Sequence, residues 1–297
     1  MEQLKKRKRR FGDRYDGYRV REQDPMFRII PYIMRSRLDS QVFFDEQIDS
    51  SSLRKFILEH RKNIPNLSTY HIIVAAAIRT IVQKPRLNRF VSGNKIYSRN
   101  YLRASLTVKQ SMTEDADESL VMPEFAPTDT LYEVAAKFNE RVSEVKAEGG
   151  AKAEGNETDI TIKLINMLPG FLIKLVVWAL RKLDGIGKMP KIINRVSPFH
   201  SSLFVTNVGS IGINSVYHHL YEFGTTSIFL AIGKNKTVRE INKDGSVDSK
   251  NVINIRFVID ERICDGYYCA SAIRQFKRIM KNPELLLTPP EYIGEDC

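Results

Sequence analysis

Short apolar runs and stretches of helical periodicity alternate along most of this chain. Apolar, β-branched runs bounded by turn residues are typical of strands, whereas apolar residues recurring every three or four positions are typical of helices. Strands are therefore predicted at 42–49, 89–99 (as a hairpin), 101–110, 201–213, 225–238 and 252–260. Helices are predicted at 51–62, 68–84, 129–148 and 267–281. This order of elements indicates an α/β fold.

Residues at the ends of these elements support their boundaries. Ser50 or Ser51 is the predicted N-cap of the first helix, and Ser68 caps the second. Asp244 and Gly245 mark a turn between the last two strands. The last helix gathers its apolar residues on one face, which is predicted to be core: Cys269, Ala272, Ile273, Phe276, Ile279 and Met280.

The charge of the chain is unevenly distributed. It has 297 residues and a formal net charge of +11, much of it in the run KKRKRR at 5–10. Such a run contacts nucleic acid or anionic lipid, or remains a solvated tail. No aromatic stacking platform accompanies it, so nucleic-acid binding is not favoured and a disordered tail is preferred. We assign 1–24 to this tail, 25–290 to one domain and 291–297 to a short second tail.

The three cysteines, Cys264, Cys269 and Cys297, match no zinc or redox spacing. We therefore expect no disulfide, no metal site and a reducing compartment. The N-terminus carries charge without an apolar stretch behind it, so no secretory signal is predicted. A cytoplasmic location is expected.

The segment LINMLPGFLIKLVVWALRKL, residues Leu164 to Leu183, belongs to an apolar helical insertion at about 158–196. Lys174 interrupts it and Pro169 breaks it, so it is not predicted to span a bilayer. Two interpretations remain. The segment lies on a membrane surface with Trp178 at the interface, or it packs against the protein body or a partner subunit. Packing is preferred, because apolar helices in soluble chains are usually core.

A polar cluster, DERICDG at 260–266, joins the last predicted strand to the last helix. Such junctions commonly carry functional groups on a rigid scaffold. A carboxylate at Asp265 is stabilised by the helix N-terminus, so a purely structural cap is one interpretation of this residue. Gly266 is expected to permit a tight turn into the helix.

Two motifs resemble a known family. DERICDG resembles the D-H-R-x-x-D-G signature of the catalytic cores of dihydrolipoyl acyltransferases from 2-oxoacid dehydrogenase complexes, and the H-x-x-x-D-G signature of chloramphenicol acetyltransferase. Asp260, Arg262, Asp265 and Gly266 match it. LFVTNVGSIGI resembles the family segment F-T-I-S-N-L-G-x-x-G, with Thr206 at the position of the serine. Weaker similarity extends over most of the chain after about residue 25, without a preceding lipoyl domain, so a stand-alone relative is expected.

The resemblance implies a chloramphenicol acetyltransferase-like α/β fold, a mixed-sheet sandwich flanked by helices. It implies a homotrimer whose active sites lie in channels between subunits, with a coenzyme A thioester as co-substrate and no tightly bound cofactor. The motif base removes a proton from the attacking thiol or hydroxyl, and Thr206 of the facing subunit donates to the oxyanion. Asp265 is mainly structural and pairs with an arginine nearer the N-terminus, for which Arg28 is the candidate.

The chain departs from the family at the base, where Glu261 replaces histidine. An unperturbed glutamate has a pKa of about 4.3, against about 6.5 for histidine. Desolvation raises the pKa of a carboxyl group, and the neighbouring Asp260 and Arg262 shift it in either direction. His218 and His219 are alternative bases.

Three classes of function are consistent with these residues. The preferred one is an acyltransferase moving an acyl group between a coenzyme A, or other pantetheine or lipoyl, thioester and an unidentified acceptor. The second is a catalytically inactive trimer that binds an acyl thioester or a protein partner. The third is a membrane-associated protein, held at the surface by the basic tail and the Leu164 to Leu183 segment, which acts on a lipidic acyl group.

Overall fold

The computed structural model describes residues 7–109, 118–148 and 167–296. The predicted loop at 149–157, the first part of the apolar insertion and the first two residues of the basic run lie outside these ranges.

Nine strands lie in the described part of the chain. They are β1 (Gly17–Arg19), β2 (Gln41–Asp49), β3 (Arg89–Ser92), β4 (Lys95–Arg99), β5 (Ala104–Lys109), β6 (Glu118–Val121), β7 (Leu203–Asn207), β8 (Ile228–Ile241) and β9 (Val247–Asp260). The helices are α1 (Pro25–Ile33), α2 (Ser51–His60), α3 (Thr69–Gln83), α4 (Leu131–Glu148), α5 (Gly170–Gly185), α6 (Lys191–Val196) and α7 (Gly266–Lys281). The predicted α/β fold is confirmed, and β1, β6 and α1 were not predicted.

A six-stranded mixed sheet forms the centre of the domain, in the order β2-β9-β8-β7-β5-β6. Strand β7 runs parallel to both of its neighbours, and the other pairs are antiparallel. Helices α3 and α7 pack together on one face over the main core. All six residues predicted for the inner face of α7 are buried. The other face carries a smaller cluster around Phe204 and Phe229, which Leu220 covers from the segment between β7 and β8.

The residues before β1 and around it contradict the predicted disordered tail. Strand β1 pairs with β4, and the small sheet has the order β1-β4-β3. The buried Arg14 guanidinium binds Asp16 at 2.7 Å and Asp184 at 2.6 Å. The contact with Asp184 joins residues 170 positions apart, which composition does not reveal. Together the two contacts offset the entropy of ordering the segment.

The C-terminal segment also packs against the domain. Gly294 N donates to Val82 O at 3.0 Å, and the buried Asp296 carboxylate binds Arg89. The Arg89 guanidinium also donates to Ile263 O, so this segment is linked to the turn after β9. Residues 291–296 therefore form part of the folded domain rather than a free tail.

Local boundaries follow the predicted signals. In the β3–β4 turn, Gly93 and Asn94 have φ values of 54° and 57°, the left-handed conformation that a two-residue hairpin of this type requires. Helix α3 begins directly after Ser68, whose N–H donates to Nδ1 of His71 at 3.2 Å. These signals act within a few residues, so sequence alone identifies them.

The insertion is held at one end and exposed along one face. Its C-terminal part is anchored by the buried Asp184, Met189 and Asn194. On α5, however, Phe171 and Trp178 are 70% and 58% exposed. The preferred interpretation was packing against the protein body or a partner subunit, and within the described subunit the body does not cover this face. Packing against a partner subunit stays a prediction. Among the described helices, none is long and apolar enough to cross a membrane.

Candidate active site

The turn between β9 and α7 is built on a buried ion pair. The Asp260 carboxylate accepts from Nε and Nη2 of Arg262 at 2.8 and 2.7 Å, and both side chains are almost completely buried. Arg262 Nη1 also donates to Met34 O at 3.0 Å. Buried charges need hydrogen-bond partners inside the protein, and these two side chains bind each other and the backbone. The pair therefore fixes the path of the turn.

The backbone beside this pair is bound to the residues that directly precede β2 and β8. Glu261 N donates to Ser40 O at 2.9 Å, and Asp260 N donates to Ser227 O at 3.0 Å. The Glu261 side chain itself is half-buried, and its carboxylate has no hydrogen-bond or ion-pair partner in the described part of the subunit. The backbone of the turn is therefore fixed, while the Glu261 carboxylate is unpaired in the described part of the subunit.

Asp265 caps helix α7, as its structural interpretation predicted. Its carboxylate accepts from Tyr268 N at 2.8 Å. The cation next to it is Arg86, with 3.7 Å between Arg86 Nη1 and Asp265 Oδ2, and both side chains are nearly half exposed. The expected partner Arg28 lies on α1 and lines a different cleft, so that pairing is wrong within the described subunit. The buried ion pair of the motif belongs to Asp260 instead.

The expected role of Gly266 is also not supported. A Cβ built at this position meets no atom within 4 Å, and Gly266 lacks a positive φ. The tight backbone approach occurs in the other motif. A Cβ on Gly209 would lie 2.4 Å from Gly233 O, and one on Gly233 would lie 2.3 Å from Ser215 N. These two positions require glycine because backbone from a separate segment lies too close for a Cβ. In the sequence, the glycines themselves were the only indication of these close approaches.

Thr206 lies near the end of β7, half-exposed and on the sheet face opposite α3 and α7. Its neighbours in the chain alternate accordingly, with Val205 in the main core and Phe204 in the smaller cluster. Asn207 follows and accepts from Ser210 N, which turns the chain away from the sheet. The Thr206 hydroxyl is therefore held at a strand end beside solvent.

Within one subunit, Thr206 and Glu261 are far apart. Thr206 pairs with Ala231 of β8, and Ala231 pairs with Arg256 of β9. Glu261 follows Arg256 by five residues, or roughly 17 Å along the strand, and two strand spacings of about 4.8 Å separate the rows. One chain does not bring the two side chains into contact.

The alternative bases lie in the segment over the smaller cluster. The ring of His218 stacks on Phe229 at 4.0 Å, and His219 is exposed. Because His218 Nδ1 lies 2.8 Å from the His219 carbonyl oxygen, it carries the proton and donates. Burial lowers the pKa of His218, so the ring is neutral at pH 7 with its Nε2 lone pair available. Phe229 is in register with Phe204, two residues before Thr206, so His218 lies on the same face as that hydroxyl.

Cys264 of the DERICDG motif and Cys269 of α7 are in contact. The Sγ atoms of Cys264 and Cys269 lie 3.3 Å apart, and both side chains are buried. The hydrogen bond between the two thiols raises the pKa of Cys264 and lowers the pKa of Cys269. Both cysteines belong to the main core under α7, so neither thiol faces solvent although the turn is adjacent.

The sequence resemblance is confirmed by comparison with known proteins. Residues 199–288 match the family model of the 2-oxoacid dehydrogenases acyltransferase (catalytic domain). This range contains both motifs. No curated protein matches the chain in sequence.

Solved structures extend the likeness over nearly the whole chain. A probable dihydrolipoamide acetyltransferase from Listeria monocytogenes has a TM-score of 0.55 and 13% identity, covering 88% of this chain and 94% of that one. The cubic core of a pyruvate dehydrogenase multienzyme complex gives 0.56 and 12%, covering 90% and 94%. The dihydrolipoamide acetyltransferase of Azotobacter vinelandii gives 0.55 and 14%, with the same coverage. The fold is therefore that of the acyltransferase catalytic cores, as predicted.

Proposed function

We propose that this protein is an acyltransferase, active as a homotrimer, that moves an acyl group between a pantetheine-type thioester and an acceptor thiol or hydroxyl. The observation that carries the proposal is the separation of Thr206 and Glu261. Each lies at a strand end with a free functional group, yet one subunit keeps them roughly 15–20 Å apart. A second copy of the chain completes the site.

Exposed apolar side chains on the sheet face that carries Thr206 support an interface on that face. Ile213, Tyr217 and Phe43 are 46%, 51% and 50% exposed, and the Tyr217 and Phe43 rings contact each other edge to face at 5.5 Å. Phe43 is in register, across β9 and β8, with Phe204, two residues before Thr206. Exposed apolar surface of this kind is typical of a surface that a partner subunit covers. The described subunit leaves this rim open.

In the proposed mechanism, the Glu261 carboxylate accepts the proton of the acceptor thiol or hydroxyl. The resulting nucleophile adds to the thioester carbonyl carbon, and the Thr206 hydroxyl of the adjacent subunit donates to the oxyanion of the tetrahedral intermediate. Collapse of the intermediate breaks the carbon–sulfur bond, and Glu261 returns the proton to the leaving thiolate. Coenzyme A or dihydrolipoamide acts as substrate in this scheme, with no resident cofactor.

The test uses two inactive variants, Thr206→Ala and Glu261→Gln. Turnover is measured with acetyl-coenzyme A and dihydrolipoamide as probes. Each variant alone is expected to be nearly inactive. When the two are co-assembled at equal amounts, about a quarter of the sites of a cyclic trimer regain both groups. If parental turnover is present and co-assembly restores none of it, the shared site is disproved.

A second assignment of the base rests on His218. Its fixed tautomer leaves Nε2 unprotonated, and it lies on the same sheet face as Thr206 of its own subunit. His218→Gln distinguishes the two assignments. If His218 is the base, this variant loses turnover, Glu261→Gln retains it, and co-assembly with Thr206→Ala restores nothing.

The non-catalytic alternative is favoured by the absence of the motif histidine at position 261. In that case the parent protein binds a thioester without turning it over. Equilibrium binding of acetyl-coenzyme A, measured beside the turnover assay, separates this outcome from a general loss of folding.

A further inference from the structure

One face of helix α5 combines exposed apolar residues with basic ones. Phe171, Leu175 and Trp178 are 70%, 57% and 58% exposed, and their spacing aligns them along the helix. Lys174, Arg181 and Lys182 occupy the same exposed face. The opposite face is half-buried, so this arrangement is not produced by a helix that is exposed all round.

The pattern continues beyond the helix. Three further large apolar side chains near the ends of α5 and on α6 are exposed, namely Met167 (81%), Ile186 (67%) and Ile192 (63%). We refer to the exposed residues of 167–196 as the α5 surface. Monomeric proteins rarely leave several large apolar side chains exposed together unless the region contacts a membrane or a partner.

All exposed charges of the α5 surface are positive. Its cations are Lys174, Arg181, Lys182, Lys188, Lys191 and Arg195, and each is exposed. The single acidic residue of 167–196 is Asp184, which is buried and bound to Arg14 at 2.6 Å. No carboxylate in this range faces solvent to neutralise the cations. The α5 surface therefore attracts an anionic partner.

The α5 surface is held rigidly on the domain. Arg14 connects Asp184, at the end of α5, to Asp16 of the N-terminal segment. Asn194 Nδ2 of α6 donates to the same Asp16 carboxylate at 3.2 Å. Because the helix end is fixed by buried contacts, its apolar stripe is presented without a large entropic cost on binding.

We propose that the α5 surface docks the protein on an anionic lipid bilayer. Helix α5 has 16 residues, and at about 1.5 Å per residue it is roughly 24 Å long, suited to lying in the interface. Trp178 sits at the depth that indole rings favour, with the lysine and arginine side chains reaching the headgroups. No described helix is apolar enough to span the membrane, so the contact is peripheral.

Charge opposes a symmetric contact between the α5 surfaces of two copies of the chain, and the test below distinguishes a membrane from a contact with another surface of a neighbouring subunit. Two α5 surfaces packed against each other would bring Lys174, Arg181 and Lys182 close to their own counterparts without an exposed carboxylate between them. Like charges at an interface oppose association. Anionic headgroups instead neutralise the cations while the acyl region takes up the aromatic and aliphatic side chains. The inference does not depend on the proposed acyltransferase activity.

The single tryptophan of the chain makes the test direct. Vesicles of 30% phosphatidylglycerol in phosphatidylcholine are titrated into the full-length protein, and Trp178 emission and co-sedimentation are followed. Docking is expected to shift the emission to shorter wavelength and protect the ring from aqueous quencher. Raising the salt from 50 to 500 mM is expected to weaken binding, because it screens the surface charges.

Two variants with matched controls separate the electrostatic contribution to membrane binding from the apolar contribution. Lys174→Glu/Arg181→Glu/Lys182→Glu reverses three charges on the α5 surface. Lys234→Glu/Arg239→Glu/Lys243→Glu makes the same change in net charge on the β8–β9 hairpin. Each cation near an anionic surface contributes a factor of about five in affinity, so the first triple variant is expected to lose at least about 100-fold and the second much less. Leu175→Ser tests the apolar contact, with the 79%-exposed Ile241→Ser on the hairpin as its control.

Circular dichroism and sedimentation velocity without lipid accompany each variant. The proposal is overturned if parent protein leaves Trp178 emission unchanged, if pure phosphatidylcholine binds equally well, or if both triple variants lose affinity equally. A change in oligomeric state of the α5-surface variants alone would assign this surface to subunit contacts instead.

Discussion

The buried charge pair at the end of β9 leads to a specific prediction. Asp260→Asn keeps the shape of the side chain and removes its charge. Asp260 accepts two hydrogen bonds from the Arg262 guanidinium, at 2.8 and 2.7 Å, and its own side chain is fully buried. A second guanidinium depends on the same carboxylate. Burial lowers the pKa of Arg37, and the Asp260 charge is the main influence opposing that shift.

The expected loss is large because the remaining charge stays buried. Removing one partner of a buried ion pair costs about 3–5 kcal/mol, since the other ion has lost its compensation. Asp265→Asn is the matched control, five residues along the same motif. Its carboxylate is nearly half exposed and acts as a helix cap, so its loss is expected to stay near 1 kcal/mol.

Equilibrium urea unfolding followed by circular dichroism measures both variants. A single protein concentration is used throughout, because subunit association adds concentration-dependent stability. The double variant Asp260→Asn/Arg262→Met removes both charges and is expected to recover part of the loss. The reasoning is refuted if Asp260→Asn lowers the free energy of unfolding no more than Asp265→Asn does. It is also refuted if the loss in the double variant equals the sum of the losses in Asp260→Asn and Arg262→Met.

Three further predictions concern catalysis, pH and backbone packing. Glu261→Gln is expected to lower turnover about 10²–10⁴-fold in the thioester assay while acetyl-coenzyme A still binds, because it removes only the proton acceptor; unchanged turnover rules out this base. Burial raises the pKa of Asp184, but a neighbouring histidine and arginine outweigh it and lower the pKa to about 2. A depressed pKa means stability that is present above about pH 4 and lost as pH falls towards 2, about 2 kcal/mol in all. Between those pH values, the urea midpoint should therefore change more in the parent than in Asp184→Asn. An equal change of midpoint with pH in the two proteins contradicts the assignment. Gly209→Ala forces a backbone shift against Gly233 O, and its thermal midpoint should fall by clearly more than that of Gly266→Ala, where a Cβ meets nothing within 4 Å.

Several elements were determined by the sequence alone. The apolar face of α7, the start of α3 after Ser68 and the hairpin over 89–99 all agree with the structure. Each depends on contacts within a few residues, or on a periodicity that one helix displays by itself. The two motifs also indicated the acyltransferase-like fold, and the comparisons confirm that resemblance.

Only the tertiary structure decided how the charges pair. Asp260, not Asp265, forms the buried ion pair, and the cation beside Asp265 is Arg86 rather than Arg28. Arg86 and Asp265 are far apart in sequence, and spacing along the chain does not encode their contact. Asp260 and Arg262 are two residues apart, and only the folded domain shows that their pair is the buried one. The strength of each pair depends on burial, which is a property of the folded domain.

The same reason explains the environments of the N-terminal segment and of helix α5. The N-terminal segment contains few apolar residues and many charges, yet Arg14 is buried because it binds both Asp16, two residues away, and Asp184, 170 residues away. Helix α5 is apolar enough to be core, yet it leaves Phe171 and Trp178 in solvent because no other described element covers that face. Composition determines what a segment is able to bury, whereas the arrangement of the whole chain determines what it does bury.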